Sequence, residues 1–126
     1  MLKMIYQIVY LAICIYHEAR GEPADGQVAV GHVIMNRVAK SDKSVKDVVF
    51  SPWQFSWANA GQRPPISDYE SFAQCINSAM ICLQERLEGM DFNGANHYFA
   101  EYIPKPEWAN KMKFLWKIGK HLFYKG

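Results

Sequence analysis

The sequence predicts a mainly α fold, a compact single domain built on a buried central helix. Three observations carry that prediction. The N-terminal stretch "MIYQIVYLAICIY" is almost wholly apolar. Two later segments place apolar residues at helical spacing. No stretch alternates apolar and polar residues long enough to read as a strand, so at most an extended piece, an α+β variant, is expected. The 126 residues, half of them apolar, suffice for one core and exclude a disordered chain.

The first helix is expected over residues 4–19. It is apolar nearly all the way round, as a central buried helix is, and Gly21 and Pro23 end it. The apolar run is too short to cross a bilayer. Lys3 is the only positive charge before it, and no small-residue cleavage site follows, so no export signal is read. A second helix starts near Asp25, with Val30, Val33, Ile34, Arg37 and Val38 at helical spacing. Gly31 within it allows a close helix crossing.

Residues 44–50 predict one short helix, and an irregular segment with Pro52, Gly61, Pro64 and Pro65 follows. Ser67 and Glu70 read as a capping box opening a third long helix. Its expected apolar face is Phe72, Ile76, Met80, Leu83 and Leu87. Residues 89–106 read as a loop with an extended piece. A last helix is expected from Pro106 or Glu107, with Trp108, Met112, Leu115 and Trp116 inward and Lys113, Lys117 and Lys120 on another face.

The net charge is +2, unevenly spread: from Lys105 onward there are six lysines against Glu107 alone. A basic end suits an anionic polymer, but a solvated helix face is the favoured reading. Cys75 and Cys82 are seven apart on one predicted helix, roughly 10 Å between Cα atoms and too far for a disulfide. With Cys14 in an apolar run, all three read as reduced core residues of a chain made in a reducing compartment.

The chemistry concentrates in "YHEARGEP". His17 and Glu18 begin like a zinc-protease helix, but Gly21 stands where the second histidine is needed. His32, His97 and His121 lack ligand spacing, so no metal and no cofactor are expected. Glu18 closes an apolar helix. Burial and the negative end of the helix dipole both favour its protonated form. A carboxyl group protonated near neutral pH is what general-acid catalysis needs. From the residues alone, catalysis and a structural glutamate stay equally open. Glu22 reads as structural, capping the next helix or pairing with Arg20 or Arg37.

Two further constellations surround this one. "SPWQFSWANAGQRPP" interleaves Trp53, Phe55 and Trp57 with Gln54, Ser56 and Asn59. Aromatic faces stack on sugar rings while amides bond their hydroxyls. "GANHYFAEY" brings His97, Tyr98, Phe99 and Tyr102. An acid on a buried helix with two aromatic-polar loops describes a polysaccharide cleft. A helix-turn-helix reading of "GQVAVGHVIMNRV" offers only Arg37 as a strong partner, so no nucleic acid is expected.

The stretch "IYHEARGEPADGQVAVGHVIMNRV" resembles the opening motif of the SleB/CwlJ-type cell wall hydrolases, a family of spore cortex-lytic enzymes and phage lysis proteins. The shared run is Glu18 to Pro23, Gly26 to Val30 and Asn36-Arg37. "QFSW", "GANHYF" and "IGKHLFY" are similar to later family signatures, in the same order. After "HYF" the family often continues Asn-Pro, where Ala100-Glu101 stand here.

The resemblance implies a lysozyme-like α-rich fold with the aromatic loops forming a glycan cleft. It implies cleavage of peptidoglycan strands between N-acetylmuramic acid and N-acetylglucosamine, with Glu18 as the catalytic acid. Gln54, Phe55, Ser56, Trp57, His97, Tyr98 and Tyr102 are the expected substrate-binding residues. Arg20, Glu22, Asn36 and Arg37 are the expected supports. A hydrolase needs a second carboxylate roughly 5–9.5 Å away. Glu22, Asp25 and Glu101 are weak candidates, which favours a lytic transglycosylase over a muramidase; a non-catalytic wall-binding module is the remote alternative. The further expectation is a monomer with no integral membrane segment, made in a host bacterial cytoplasm and released through a holin as a phage endolysin.

Overall fold

A computed structural model describes residues 1–51, 54–59 and 64–126. Its helices are α1 (Leu2–Ala19), α2 (Ala24–Ala39), α3 (Val45–Val49) and α4 (Tyr69–Leu87). Its strands are β1 (His97–Ala100), β2 (Lys113–Ile118) and β3 (His121–Lys125). Single 3-10 turns occupy Ser56–Ala58, Phe92–Gly94 and Glu107–Asn110. The fold is mainly α with a small antiparallel sheet in the order β1-β3-β2.

The core forms where α1, α2 and α4 meet: Leu11, Ile15, Tyr16, Val30, Ile34, Cys75 and Cys82 are buried there, and Phe123 of β3 closes it. The C-terminal half of α1 is therefore central, as its apolar pattern predicts. The N-terminal half is not: Leu2, Met4, Ile5, Tyr6 and Val9 are exposed, and burial begins at Leu11. Gly31 serves the close crossing expected of it. A Cβ there would lie 3.0 Å from Cys82 Sγ on α4 and 3.5 Å from Ile15 Cδ1 on α1.

That tight approach also explains α4. Its buried residues are the small ones, Cys75, Ser78, Ala79 and Cys82, while Phe72, Ile76 and Leu83 are half-buried. Met80 and Leu87, expected inward, are exposed. The cap is one residue later than expected. Asp68 accepts from the Ser71 N–H at 3.0 Å, and the Ser71 hydroxyl donates back at 2.6 Å. Asp68 thus satisfies an N–H of the first turn that the helix itself leaves unpaired.

The largest departure from the sequence reading is the C-terminus, which is a β-hairpin and not a helix. Its two-residue loop begins with Gly119 at φ +57°, the left-handed conformation that glycine adopts without strain. A register shift between Phe114 and Trp116 makes Leu115 a bulge. The extra residue breaks the period of two inside β2, and Trp108 and Met112 precede the strand, so these two with Leu115 and Trp116 fall at helix-like spacing without a helix. Aromatic and branched residues then decide for the strand. Trp108 packs on Phe99 and Tyr124, outside the main core.

All three cysteines are free and buried; burial pushes Cys75 up to about 11 and Cys82 up to about 12, so both stay unreactive thiols. Among the described residues, no helix is long and apolar enough to cross a membrane.

Candidate active site

Glu18 sits one residue before the end of α1, in the last turn of the half that is buried. The Tyr98 hydroxyl of β1 donates to its Oε1. Strand alternation makes this possible, because Tyr98 points inward against Phe123 and His121 while His97 and Phe99 face Trp108 on the other side. Burial raises the Glu18 pKa, and it outweighs the opposing pull of the Tyr98 hydroxyl, the Arg37 charge and the Trp57 indole. Tyr98 is itself held well above the usual phenol value, first by burial and then by the Glu18 charge, so it remains a donor.

Trp57 forms the second wall. Its ring stacks on His17 with centroids 4.3 Å apart, fixing the 3-10 turn against α1. Its indole N–H is buried and meets no hydrogen-bond geometry among the described residues, yet lies near enough to favour the Glu18 carboxylate. A buried donor left free beside an acid is available to a substrate oxygen. Burial, then Arg20, lower the His17 pKa, so the stacked ring is neutral at neutral pH.

Asn36 and Arg37, adjacent on α2, hold the loop that carries Tyr98. Asn36 Nδ2 donates to the carbonyls of Asp91 (2.9 Å) and Ala95 (2.8 Å), while its oxygen accepts from Arg86. Arg37 Nε donates to the Asn96 carbonyl at 2.9 Å, and its other arm reaches Gln54 Oε1 at 3.4 Å. Its guanidinium also lies over the Phe55 ring.

Arg20 braces rather than faces the site. It donates to the Tyr16 hydroxyl at 2.7 Å, and that oxygen also accepts from the Asp68 N–H at 3.1 Å. Glu22 neither caps α2 nor pairs with Arg20 or Arg37. Its Oε1 accepts from the Lys120 N–H at 2.8 Å and lies 3.5 Å from His121 Nδ1. The glutamate therefore pins the hairpin turn to the α1–α2 corner, a role invisible while that segment is read as helix. Burial keeps His121 below the usual imidazole value despite Glu22, so the two are not an ion pair at neutral pH.

The other expected residues divide. Gln54 and Ser56 are exposed beside Trp57. Phe55 is 4% exposed and belongs to the core, because the turn that presents Trp57 drives its neighbour inward; it offers no face to a sugar. His97 lies on the outer side of β1, near Arg37 and Lys40 and away from the Glu18 hydrogen bond. Tyr102 is 77% exposed in the turn after β1 and takes no part in this network. Trp53, with Pro52 and Gly61, lies outside the described residues.

Asp25 accepts from the Gly26 N–H at the start of α2, and Glu101 pairs with Lys117 on the surface. Among the described residues, no second carboxylate bonds to Glu18 or contributes to its shift. No cluster of three or more His, Cys, Asp or Glu side chains is placed to hold a metal, again among the described residues. Sequence reasoning missed His17, whose only signal was its place beside Glu18, and the pairing of Glu18 with Tyr98, which had none.

A family model described as Cell Wall Hydrolase matches residues 21–124. The chain is 32% identical over 121 residues to a spore cortex-lytic enzyme of Bacillus cereus, covering 94% of this chain and 44% of that protein. A spore cortex-lytic enzyme of Bacillus subtilis is 32% identical over 116 residues, 90% of this chain and 35% of that one. The chain thus spans less than half the length of these relatives. Among solved structures, the catalytic domain of the Bacillus cereus SleB protein superposes with TM-score 0.74, covering 94% of this chain and 89% of that one. The catalytic domain of the germination-specific lytic transglycosylase SleB from Bacillus anthracis gives 0.73, covering 94% and 93%, and both are 32% identical.

Proposed function

Because this chain belongs to the cell wall hydrolase family, we propose that it cleaves peptidoglycan glycan strands as a monomeric lytic transglycosylase with Glu18 as general acid and base. The observation that carries the reading is Glu18 itself: a carboxyl group whose pKa burial raises, held by the Tyr98 hydroxyl and beside the buried Trp57 N–H.

The protonated Glu18 gives its proton to the oxygen linking N-acetylmuramic acid to N-acetylglucosamine. The bond from muramic C1 to that oxygen breaks, and the sugar gains oxocarbenium character. The muramic acid's own C6 hydroxyl attacks C1, and the Glu18 carboxylate takes the hydroxyl proton. The products are a 1,6-anhydromuramic end and a free N-acetylglucosamine end. No water is consumed, and Glu18 is again protonated. Tyr98 favours the carboxylate and so eases the first half-step, in which Glu18 releases its proton. The intramolecular attack needs no second carboxylate, in keeping with the surroundings of Glu18, and one solved relative is itself described as a lytic transglycosylase.

Mass spectrometry of purified peptidoglycan after digestion tests this reading. Anhydro-muropeptides are the expected products. Reducing muramic ends carrying one added water would make the enzyme a muramidase and return attention to Glu22, Asp25 and Glu101. The endolysin-like role is tested by expression in a bacterial host with and without a holin. Lysis that requires the holin supports it, and lysis in neither culture counts against it.

A further inference from the structure

A cavity of about 510 Å³ opens at Arg37, whose charge also acts on Glu18. Arg37, Lys40, Lys43, Ser51, Gln54 and His97 line it, and no carboxylate does among the described residues. Its volume is that of a site for a small organic group, within the ~300–1,000 Å³ usual for such sites.

The charge is arranged for an anion. Lys40 and Lys43 are exposed beyond the end of α2. Lys43 Nζ donates to Ser51 Oγ at 3.2 Å, which fixes its direction and uses one of its three N–H donors. His97 reports the field: burial, then Arg37, then Lys40 hold its pKa below the usual imidazole value. Arg37 joins the cavity to the catalytic acid, since it lines the one and its charge acts on the other. Gln54 stands at the boundary, in contact with Arg37.

We propose that this cavity is an anion subsite that takes a carboxylate of the peptide stem borne by the muramic acid under cleavage. The inference rests on the glycan-cleaving function proposed above. The stem leaves the muramic ring through its lactyl group and carries free carboxylates. A cationic hollow next to the acid would read them, orienting the ring whose C1 and C6 must meet.

The test compares the wild-type protein with the Lys40→Gln/Lys43→Gln double variant on two substrates. One is peptidoglycan with its stems, freed of phosphate-bearing polymers; the other is the same strands with their stem carboxylates capped as methylamides. The expected result is a KM raised about tenfold on strands with free stem carboxylates, kcat little changed, and no difference on capped strands. Lys40→Arg/Lys43→Arg keeps the charge and should keep the wild-type KM. Equal loss on both substrates, or no loss on either, overturns the subsite while the cleaving function stands. A third substrate, strands that still carry phosphate polymers, separates the anions: a loss confined to it assigns the cavity to phosphate and overturns the subsite too. Failure of the wild-type protein on both substrates overturns the cleaving function and the subsite together.

Discussion

The Tyr98 hydroxyl donates to Glu18 Oε1, tying the last turn of α1 to the first strand across 80 positions of sequence. The bond does two things. It sets the direction of the carboxyl group, and it favours the charged form against the burial that raises its pKa.

Removing that donor moves the acid's titration in a defined direction. In Tyr98→Phe the largest of the groups that oppose burial is gone, and Arg37 and Trp57 remain, so the Glu18 pKa rises further. A general acid must be protonated, and activity falls as pH rises through its pKa. The alkaline limb of kcat/KM is therefore expected to move to higher pH, with kcat at the optimum about fivefold lower for one hydrogen bond of ~1 kcal/mol. A limb that stays in place would detach Tyr98 from Glu18's ionisation.

Burial of Glu18 also predicts a pH-dependent stability. The folded-state pKa is raised above the unfolded value of about 4.3. The stability supplied by the protonated group is fully present below that value and is lost as pH rises through the higher folded one. Glu18→Gln cannot ionise. Its Tm relative to wild type is thus expected to increase between pH 4 and pH 8. A constant difference across that range would mean that Glu18 titrates as it does in the unfolded chain.

Glu22 is expected to behave as an anchor. Glu22→Gln keeps an oxygen for the Lys120 N–H and should retain activity within about threefold. Glu22→Ala leaves that N–H without its acceptor and should cost about 1–3 kcal/mol in denaturant unfolding. A loss of about 100-fold or more in Glu22→Gln with normal stability would instead give Glu22 a catalytic role.

These residues also show what the sequence could and could not tell. Glu18 was legible because an acid closes an apolar helix and because its flanking motif is long. Glu22 and Lys120 were not, since their meeting depends on a hairpin whose period the Leu115 bulge hides. Phe55 and Trp57 look alike as aromatic loop residues; only the 3-10 turn separates the buried ring from the one beside the acid. His97 and Tyr98 are neighbours in sequence, and strand alternation sends them to opposite faces. The exposed start of α1 was hidden for another reason. Apolarity all round a helix predicts burial, but the neighbouring elements cover only its second half.

The central claim is that Glu18 supplies the proton. Its most direct test is the initial rate of soluble muropeptide release by wild-type and Glu18→Gln proteins, side by side at the pH optimum, with thermal unfolding of both. Loss of a positioned general acid is expected to lower the rate by about 10²- to 10⁴-fold while the variant stays folded. A folded Glu18→Gln protein that releases muropeptides within about tenfold of the wild-type rate would contradict the account and place the proton donor elsewhere.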